Sequence, residues 1–378
     1  MLRVLAVTAS LLLASCAQWL PSPQPAPVPP PASAAAPPPP PAAADGVKPY
    51  ATVQLFFGTD RNVTGASAPA DVFGEDRGHN LIYGTCDVSI PRDHQSGHLE
   101  SPLILRHFFE NPERHVVLLK VDLRTKEQVF AEMTARLAGR PKRNAFVFVH
   151  GFNNSFEDAA RRTAQIYYDV EFDGVPLFYS WPSKGKVEDY SYDTNNADQA
   201  VGYLKAFLRD LAERGGFDSV TLVAHSMGSR ALTRAFMELS NELSPRQMAV
   251  FSELILAAPD IDADVFRTDI APVLRAAGSP VTLYASANDL AMLASKKFGG
   301  ASRLGDARGG VVIVSGVETI DATKADTNLF WGIGHAYVAD SPGMLHDLHD
   351  LVVTRLRAAQ RSDLEQVPNA QGAYWQFK

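Results

Sequence analysis

The sequence predicts an α/β fold in which helices cover both faces of a mostly parallel sheet, after a short N-terminal β segment. From about residue 115 onward, short apolar runs of strand length alternate with longer segments of helical spacing. The apolar runs are continuous, which is typical of parallel strands buried on both faces. The chain has 378 residues, of which 46% are hydrophobic and 20% charged, enough for one large domain with accessory segments.

The N-terminus has the features of an export signal. Arg3 precedes an apolar stretch, residues 4–13, that is too short for a membrane-spanning helix of ~20 residues. Residues 13–16 read Leu-Ala-Ser-Cys and resemble the lipobox of bacterial lipoproteins, which implies lipidation of Cys16. An ordinary secretory signal with an incidental cysteine is the alternative. Because Ala and not Asp follows Cys16, the resemblance implies an outer-membrane location facing the periplasm.

The segment after Cys16 predicts a spacer, and the fold begins after it. Residues 17–49 are dominated by Pro and Ala, which favour polyproline II and indicate a semi-rigid tether. Residues 50–360 are expected to form the folded domain, and residues 361–378 a polar, loosely ordered tail. The chain has two cysteines, Cys16 and Cys86, which excludes a disulfide framework.

The elements of the domain follow from local patterns. Strands are predicted at runs rich in β-branched and aromatic residues: 53–57, 81–90, 115–121, 145–149, 175–180, 219–224, 254–258, 281–285 and 311–314. Helices are predicted where apolar residues recur at helical spacing: 125–137, from about 156, 198–213, 226–239 and 344–358. Active sites of parallel sheets lie at the carboxyl ends of the strands, so chemistry is expected just after these runs.

The motif Ala-His-Ser-Met-Gly at residues 224–228 is the central candidate for chemistry. It follows an apolar strand and opens a helical pattern, which is the context of a nucleophile elbow, with Ser226 as the nucleophile. Ala224 stands where the usual motif has glycine, and its single methyl group is small enough for the turn. The alternative interpretation is that Ser226 is a helix N-cap.

The segment His-Gly-Phe-Asn at residues 150–153 follows another predicted strand and is a candidate oxyanion loop. An oxyanion needs two preorganised N–H donors, and we assign them to the backbones of Phe152 and Met227. His150 precedes the serine in the chain, so we interpret it as a structural histidine that orders this loop.

The other members of a catalytic triad are expected downstream, in the order acid and then histidine. Asp289 follows a predicted strand, and His335 lies between the last predicted strand and the last predicted helix. His335 would take the proton of the serine, and Asp289 would orient the imidazole and stabilise its charged form. Asp260 and Asp262, which follow an earlier strand, are alternative acids.

Other histidines are interpreted as not catalytic. His346 and His349 fall within the last helical pattern, where a solvated face is the simpler explanation. His94 and His98 are spaced like metal ligands, but the neighbouring Pro and Gly indicate a turn, so both are expected at the surface. We expect no metal and no cofactor. The net charge of −7 and the lack of basic clusters also argue against nucleic acid as a partner.

Several short motifs recur along the chain in a specific order. They are Gly-Thr-Asp-Arg at 58–61, Tyr-Gly at 83–84, Pro-Arg at 91–92, the motif at 150–153, Ser-Trp-Pro-Ser at 180–183, Tyr190, Asp193, the motif at 224–228, Ser-Ala-Asn-Asp at 286–289 and Gly-His at 334–335. Together they resemble a bacterial α/β-hydrolase family of unknown function, grouped with the esterase/lipase superfamily. The resemblance covers about residues 56–350. It implies an α/β-hydrolase fold and serine-hydrolase machinery, but no substrate.

Three functions follow as hypotheses. The first is a carboxylic ester hydrolase that acts on a small-molecule ester or acyl substrate through an acyl-enzyme. The second is an acyltransferase or amide hydrolase with the same triad, and the third is a non-catalytic envelope scaffold. Trp181, just after a predicted strand, either lines the substrate pocket or packs as a structural residue, and the structural interpretation is favoured.

Overall fold

The computed structural model describes residues 49–102, 109–184, 189–288, 302–325 and 342–378. The chain divides into the units Met1–Gly46 and Val47–Lys378, and all described residues belong to the second unit. Cys16 and residues 17–48 of the expected tether therefore lie outside the described residues. Within the described ranges, no helix is both long enough and apolar enough to cross a membrane.

The strands of the described residues belong to one sheet. They are β1 (Tyr50–Val63), β2 (Phe73–Pro91), β3 (Leu118–Arg124), β4 (Asn144–Val149), β5 (Val175–Ser180), β6 (Ser219–His225), β7 (Phe251–Ala257), β8 (Val281–Ala285), β9 (Val317–Asp321), β10 (Leu364–Asn369) and β11 (Gly372–Phe377). Their order across the sheet is β10-β11-β9-β8-β7-β6-β4-β5-β1-β2-β3.

The helices lie between these strands. They are α1 (Lys126–Leu137), α2 (Phe156–Asp169), α3 (Tyr190–Arg214), α4 (Met227–Ser240), α5 (Pro245–Met248), α6 (Ala263–Val265), α7 (Ala271–Ala276) and α8 (Pro342–His349). Short 3-10 turns occupy Pro69–Asp71 and Ala358–Gln360, and π-helical turns occupy Phe266–Ile270 and Asp350–Thr354.

The seven neighbouring strands β1, β5, β4, β6, β7, β8 and β9 pair in parallel, so their carboxyl ends share one edge of the sheet. β2 and β3 add to β1 as an antiparallel N-terminal segment. Alternate residues of β4 enter two separate cores: Val147 packs with α1, α3 and α4, and Phe148 packs with α2 and α8. Helices thus cover both faces of the sheet, and the predicted α/β-hydrolase fold class is confirmed.

Two sequence-based expectations at the C-terminal side need correction. Residues 311–314 are not a strand; the chain forms β9 a few residues later. Val311 and Val312 are nevertheless buried, so this apolar run reflects packing and not strand pairing. Residues 361–378 were expected as a loose tail, but they form the hairpin β10–β11, which pairs with β9 through Trp375 and Ile320. Their polar residues belong to the exposed side of a sheet edge.

Candidate active site

Ser226 occupies the sharp turn between β6 and α4. Its backbone has φ 48° and ψ −120°, a conformation that non-glycine residues rarely adopt. Such strain costs on the order of 1–3 kcal/mol and persists where the surrounding structure enforces it, most often at functional sites. The serine makes no side-chain cap to the helix. The N-cap alternative therefore does not account for it.

The turn is possible because small residues surround it. A Cβ atom on Gly228 would lie 2.3 Å from the carbonyl oxygen of His150. A Cβ atom on Gly151 would lie 2.7 Å from Nδ1 of His225 and 3.1 Å from Cβ of Ser226. The loop after β4 is therefore packed directly against the serine.

Hydrogen bonds to the neighbouring strand hold the turn in place. The N–H of Ser226 donates to the carbonyl of Ala257 at 2.9 Å, and the N–H of Asp260 donates to the carbonyl of Ser226 at 3.1 Å. Inside the turn, Oγ of Ser229 donates to the carbonyl of Ala224 at 3.1 Å. Both sides of the strained residue are thus tied to rigid elements, which is how its conformation is maintained.

Strained residues follow three adjacent strands at this edge. Asn153, Ser226 and Ala258 have φ values of 61°, 48° and 43° and follow β4, β6 and β7. These strands are neighbours in the sheet. The two other non-glycine residues with positive φ in the described ranges, Glu171 and Arg355, lie after helical segments. Strain at the carboxyl edge is therefore concentrated around Ser226.

His150 orders the loop, in agreement with its interpretation as a structural residue. Its Nδ1–H donates to the carbonyl of Gly151 at 2.8 Å, and its Nε2 accepts the N–H of Trp181 at 3.1 Å. Burial lowers the pKa of His150 to about 3, with a smaller contribution from the positive charge of Arg61. The ring is neutral at physiological pH and its two nitrogens are occupied.

Trp181 belongs to the interior. Its ring is fully buried, stacks on the ring of His150 at a centroid distance of 4.9 Å, and donates from Nε1 to the carbonyl of His150 at 2.8 Å. These contacts support the structural interpretation of Trp181, which the sequence favoured. A buried indole needs an acceptor for its N–H, and here that acceptor belongs to the loop beside Ser226.

The candidate oxyanion donors come from the two segments that meet at Ser226, the start of α4 and the loop after β4. Met227 is the first residue of α4, so its N–H has no partner within the helix. Phe152 is held by its neighbours: the side-chain amide of Asn154 donates to its carbonyl at 2.7 Å, and its ring packs edge-on against Tyr190. Because Gly151 abuts Ser226, the chain segment of Phe152 is close to the serine.

The candidate acids have different environments. Asp289 and the candidate base His335 lie outside the described residues, and β8 ends at Ala285. Asp262 caps α6 by accepting the N–H groups of Asp264 and Val265, so its role is structural. Asp260 is buried beside the serine turn. It accepts the hydroxyl of Tyr190, and a second oxygen lies 3.3 Å from Nε of Arg303.

The remaining histidines lie elsewhere. His346 is exposed and its Nδ1 lies 2.7 Å from Asp363, whose hydrogen bond raises the pKa of the histidine. His349 donates to the carbonyl of Val170. Neither contact involves the loop beside Ser226.

His94 was expected at the surface, but its side chain is only 4% exposed. Its ring nitrogens lie 2.9 Å from Glu100 and 2.8 Å from Asp169. It follows β2, whose last residue pairs with Tyr50 at the start of β1, so it is at the amino edge of the sheet. The buried partner Asp169 is 75 residues away in the chain, which the spacing of His94 and His98 did not indicate. In the described ranges, no group of three or more potential ligands is placed to hold a metal.

Two charged residues near the site belong to the motifs of the sequence analysis, which assigned them no function. Arg61 and Asp193 are both fully buried, and Asp193 accepts the hydroxyl of Ser183. Burial raises the pKa of Asp193, against its hydrogen bonds and the charge of Arg61. Arg61, in the motif directly after an apolar run, was the available signal for one of them, because charged residues are rarely buried without a partner. Asp193 lies in the first turn of α3, where an acidic residue needs no such explanation.

Comparison with known proteins gives a family and a set of structural neighbours. The model of a family described as alpha/beta hydrolase of unknown function (DUF900) matches residues 125–355, more than half of the chain. No curated protein matches the sequence.

Among solved structures, an alpha-beta serine hydrolase homologue from Coxiella burnetii is 18% identical, with 58% of this chain and 88% of that chain covered and a TM-score of 0.30. Esterase 2 of Thermogutta terrifontis, phosphoramylated by tabun, is 11% identical, with 78% of this chain and 97% of that chain covered and a TM-score of 0.32. Phospholipase PlaB of Legionella pneumophila is 12% identical, with 62% of this chain and 68% of that chain covered and a TM-score of 0.27.

Proposed function

Since the chain belongs to the alpha/beta hydrolase family of unknown function, we propose that it is a serine hydrolase that cleaves carboxylic esters through an acyl-enzyme on Ser226. The observation that carries the proposal is the strained backbone of Ser226 between β6 and α4. A serine in this turn projects from the edge of the sheet and is presented to a substrate. The same turn starts a helix, whose N-terminal N–H groups and dipole favour negative charge.

The reaction begins with attack of the Ser226 hydroxyl oxygen on the ester carbonyl carbon. His335 accepts the hydroxyl proton, and the carbonyl oxygen becomes an oxyanion bound by the N–H groups of Phe152 and Met227. When the tetrahedral intermediate collapses, His335 gives the proton to the leaving alcohol and the acyl-enzyme remains. Water, deprotonated by His335, then releases the carboxylic acid. Asp289 fixes the tautomer of His335 and stabilises its charged form.

Kinetics of short p-nitrophenyl esters test the proposal. Ser226→Ala is expected to lower kcat by roughly 10⁴–10⁶, as removal of a triad serine does. Ser229→Ala is the matched control, because Ser229 lies in the same turn but its hydroxyl is bonded to the carbonyl of Ala224. The control is expected to keep at least about a fifth of the activity, since it loses one hydrogen bond worth ~1 kcal/mol. A fully active Ser226→Ala protein contradicts Ser226 as the nucleophile. An inactive wild type contradicts the ester hydrolase and favours the scaffold.

We also propose that a lipid on Cys16 anchors the protein in the outer membrane, with the domain in the periplasm. Residues 17–48 would span at most ~100 Å as polyproline II, at about 3.1 Å per residue. Such a spacer favours a substrate that is soluble or lies across the periplasm over a lipid of the anchoring leaflet. Cys16→Ser is expected to move the protein from the membrane fraction to the soluble fraction. An unchanged distribution contradicts lipidation.

A further inference from the structure

Arg61 is buried where β1 reaches the carboxyl edge of the sheet. The parallel pairing of β1 with β5 ends at Thr59 and Ser180, and Arg61 comes two residues later. Burial lowers the pKa of Arg61 to about 10, against the opposing charges of Asp60 and Asp193, so the guanidinium remains protonated at neutral pH.

The guanidinium joins three segments that are distant in sequence. Its Nε donates to Oγ of Ser180 at 2.8 Å, and Nη1 donates to the carbonyls of Gly74 at 3.1 Å and Ser183 at 3.2 Å. Nη2 donates to the carbonyl of Asn154 at 2.6 Å. The start of β2, the segment after β5 and the loop after β4 are thus held by one side chain.

The loop held by Nη2, residues 151–154, is the one that bears the candidate oxyanion donor. Asn153 in this loop has φ 61°, so the loop needs restraint from outside. Asp193 supplies part of it by accepting the N–H of Asn153, and Oγ of Ser183 accepts the N–H of Asn154 at 3.2 Å. Arg61 supplies the remainder through the carbonyl of Asn154.

A buried charged group is a weak source of stability, because the cost of removing charge from water offsets its attraction to partners. A planar fork that binds several carbonyls in fixed directions is instead suited to fixing geometry. We propose that Arg61 is a positioning residue, an inference that rests on the proposed function. It holds residues 151–154 so that the N–H of Phe152 stays aligned with the oxyanion formed when Ser226 attacks.

Arg61→Lys tests this role, because lysine keeps the charge but loses the fork. We expect kcat for a p-nitrophenyl ester to fall roughly 10- to 100-fold, as small misplacements of reacting groups do. KM is expected to change by less than about threefold, since the affected contact forms only in the transition state. The inhibition constant of an arylboronic acid, whose tetrahedral adduct with Ser226 places an oxygen in the oxyanion hole, is expected to rise by a similar factor.

Arg161→Lys is the matched control. Arg161 is an equally buried arginine on α2 that donates to the backbone carbonyls of Val116 and Glu100, away from the loop at 151–154. We expect this variant to lose thermal stability as Arg61→Lys does, while kcat and the boronic acid inhibition constant stay within about twofold of wild type. Equal kinetic losses in both variants would overturn the positioning role.

Ser180→Ala is a milder variant that decides the matter if Arg61→Lys does not fold. It removes the acceptor of Arg61 Nε and also the hydroxyl that lies 3.2 Å from Nε2 of His150, while that nitrogen still accepts the N–H of Trp181. We expect kcat to fall about fivefold at unchanged KM. A folded Arg61→Lys or Ser180→Ala protein with wild-type kcat and boronic acid affinity overturns the inference. If wild type itself neither cleaves esters nor binds the boronic acid, the proposed function fails instead.

Discussion

Buried histidines have opposite environments at the carboxyl and amino edges of the sheet. At the carboxyl edge, burial lowers the pKa of both His150 and His225 to about 3, so both rings stay neutral. At the amino edge, burial also acts on His94, but hydrogen bonds to Asp169 and Glu100 outweigh it and raise the pKa of His94 to about 9. One edge keeps its imidazoles neutral, and the other encloses a charged imidazole between two carboxylates.

The strained residues around Ser226 and the ion pairs of Arg357 lie at opposite edges of the sheet. The carboxyl edge has the positive φ values of Asn153, Ser226 and Ala258. At the amino edge, Arg357 lies 2.6 Å from both Glu253 near the start of β7 and Glu318 near the start of β9. On the proposed function, the carboxyl edge fixes geometry for the reaction, whereas Arg357 joins β7 and β9 at the amino edge. Substitutions at the carboxyl edge should therefore lower kcat, whereas a substitution at the amino edge should lower the free energy of unfolding and leave kcat unchanged.

A large effect, second to loss of the serine or of the base, is expected from the triad acid. Asp289→Asn should lower kcat by roughly 10³–10⁴, because the amide favours the wrong tautomer of His335. Asp260→Asn should lower kcat much less, since Asp260 is already bonded to Tyr190 and near Arg303. Steady-state kinetics of both variants on one ester decide the assignment. The reverse order would make Asp260 the acid.

A methyl group at the tightest contact of the site should affect both activity and stability. In Gly228→Ala the new Cβ would lie 2.3 Å from the carbonyl oxygen of His150, so α4 and the loop after β4 must move apart. We expect about 1–3 kcal/mol less stability and a kcat at least roughly 100-fold lower. Gly202→Ala, whose Cβ would meet no atom within 4 Å, is the matched control. It should leave kcat unchanged and raise stability by up to about 1 kcal/mol, because Gly202 lies inside α3 and alanine has the higher helix propensity. Denaturant unfolding and ester kinetics measure the two effects, and a fully active Gly228→Ala protein would contradict the close packing.

His94 should affect stability alone. A pKa of about 9 in the folded state, above the unfolded value, contributes stability that is fully present below about pH 6.5 and is lost as pH rises through 9. The contribution at pH 7 is about 2 kcal/mol.

In His94→Gln, denaturant unfolding at a series of pH values should show this loss at pH 7 and a flatter profile between pH 7 and 10. The kcat at pH 7 should stay at the wild-type value. A kcat that falls with stability would mean that the two edges are coupled. An unchanged pH profile of unfolding would mean that His94 is not charged in the folded protein.

The smallest effect is expected at His346, which the sequence analysis interprets as a residue of a solvated helix face. Its side chain is 54% exposed and pairs with Asp363, and exposed pairs contribute about 0–1 kcal/mol. His346→Gln should change kcat by less than about twofold, while His335→Ala should abolish activity. A substantial loss of kcat in His346→Gln would move the base to α8.

Local patterns were sufficient for the fold and for the serine turn. The continuous apolar runs predicted β4 through β8, and the small residues at 224 and 228 predicted the elbow, because these features depend on a few neighbouring residues. The β10–β11 hairpin was missed because its apolar residues are interspersed with polar ones, and β11 pairs with β9 only in the folded chain. His94 contacts Asp169, 75 residues away, and Arg61 contacts Asn154, 93 residues away, and no local pattern indicates either contact.

Covalent labelling with a fluorophosphonate tests the central claim, that Ser226 at the carboxyl edge is the nucleophile, most directly. An activated serine displaces the fluoride and forms a stable phosphonate ester, which mass spectrometry locates on a peptide. We expect one equivalent of label per chain on the peptide that contains Ser226, no label on Ser226→Ala, and wild-type labelling of the His94→Gln variant. Label on a different residue, or undiminished labelling of Ser226→Ala, would contradict the account.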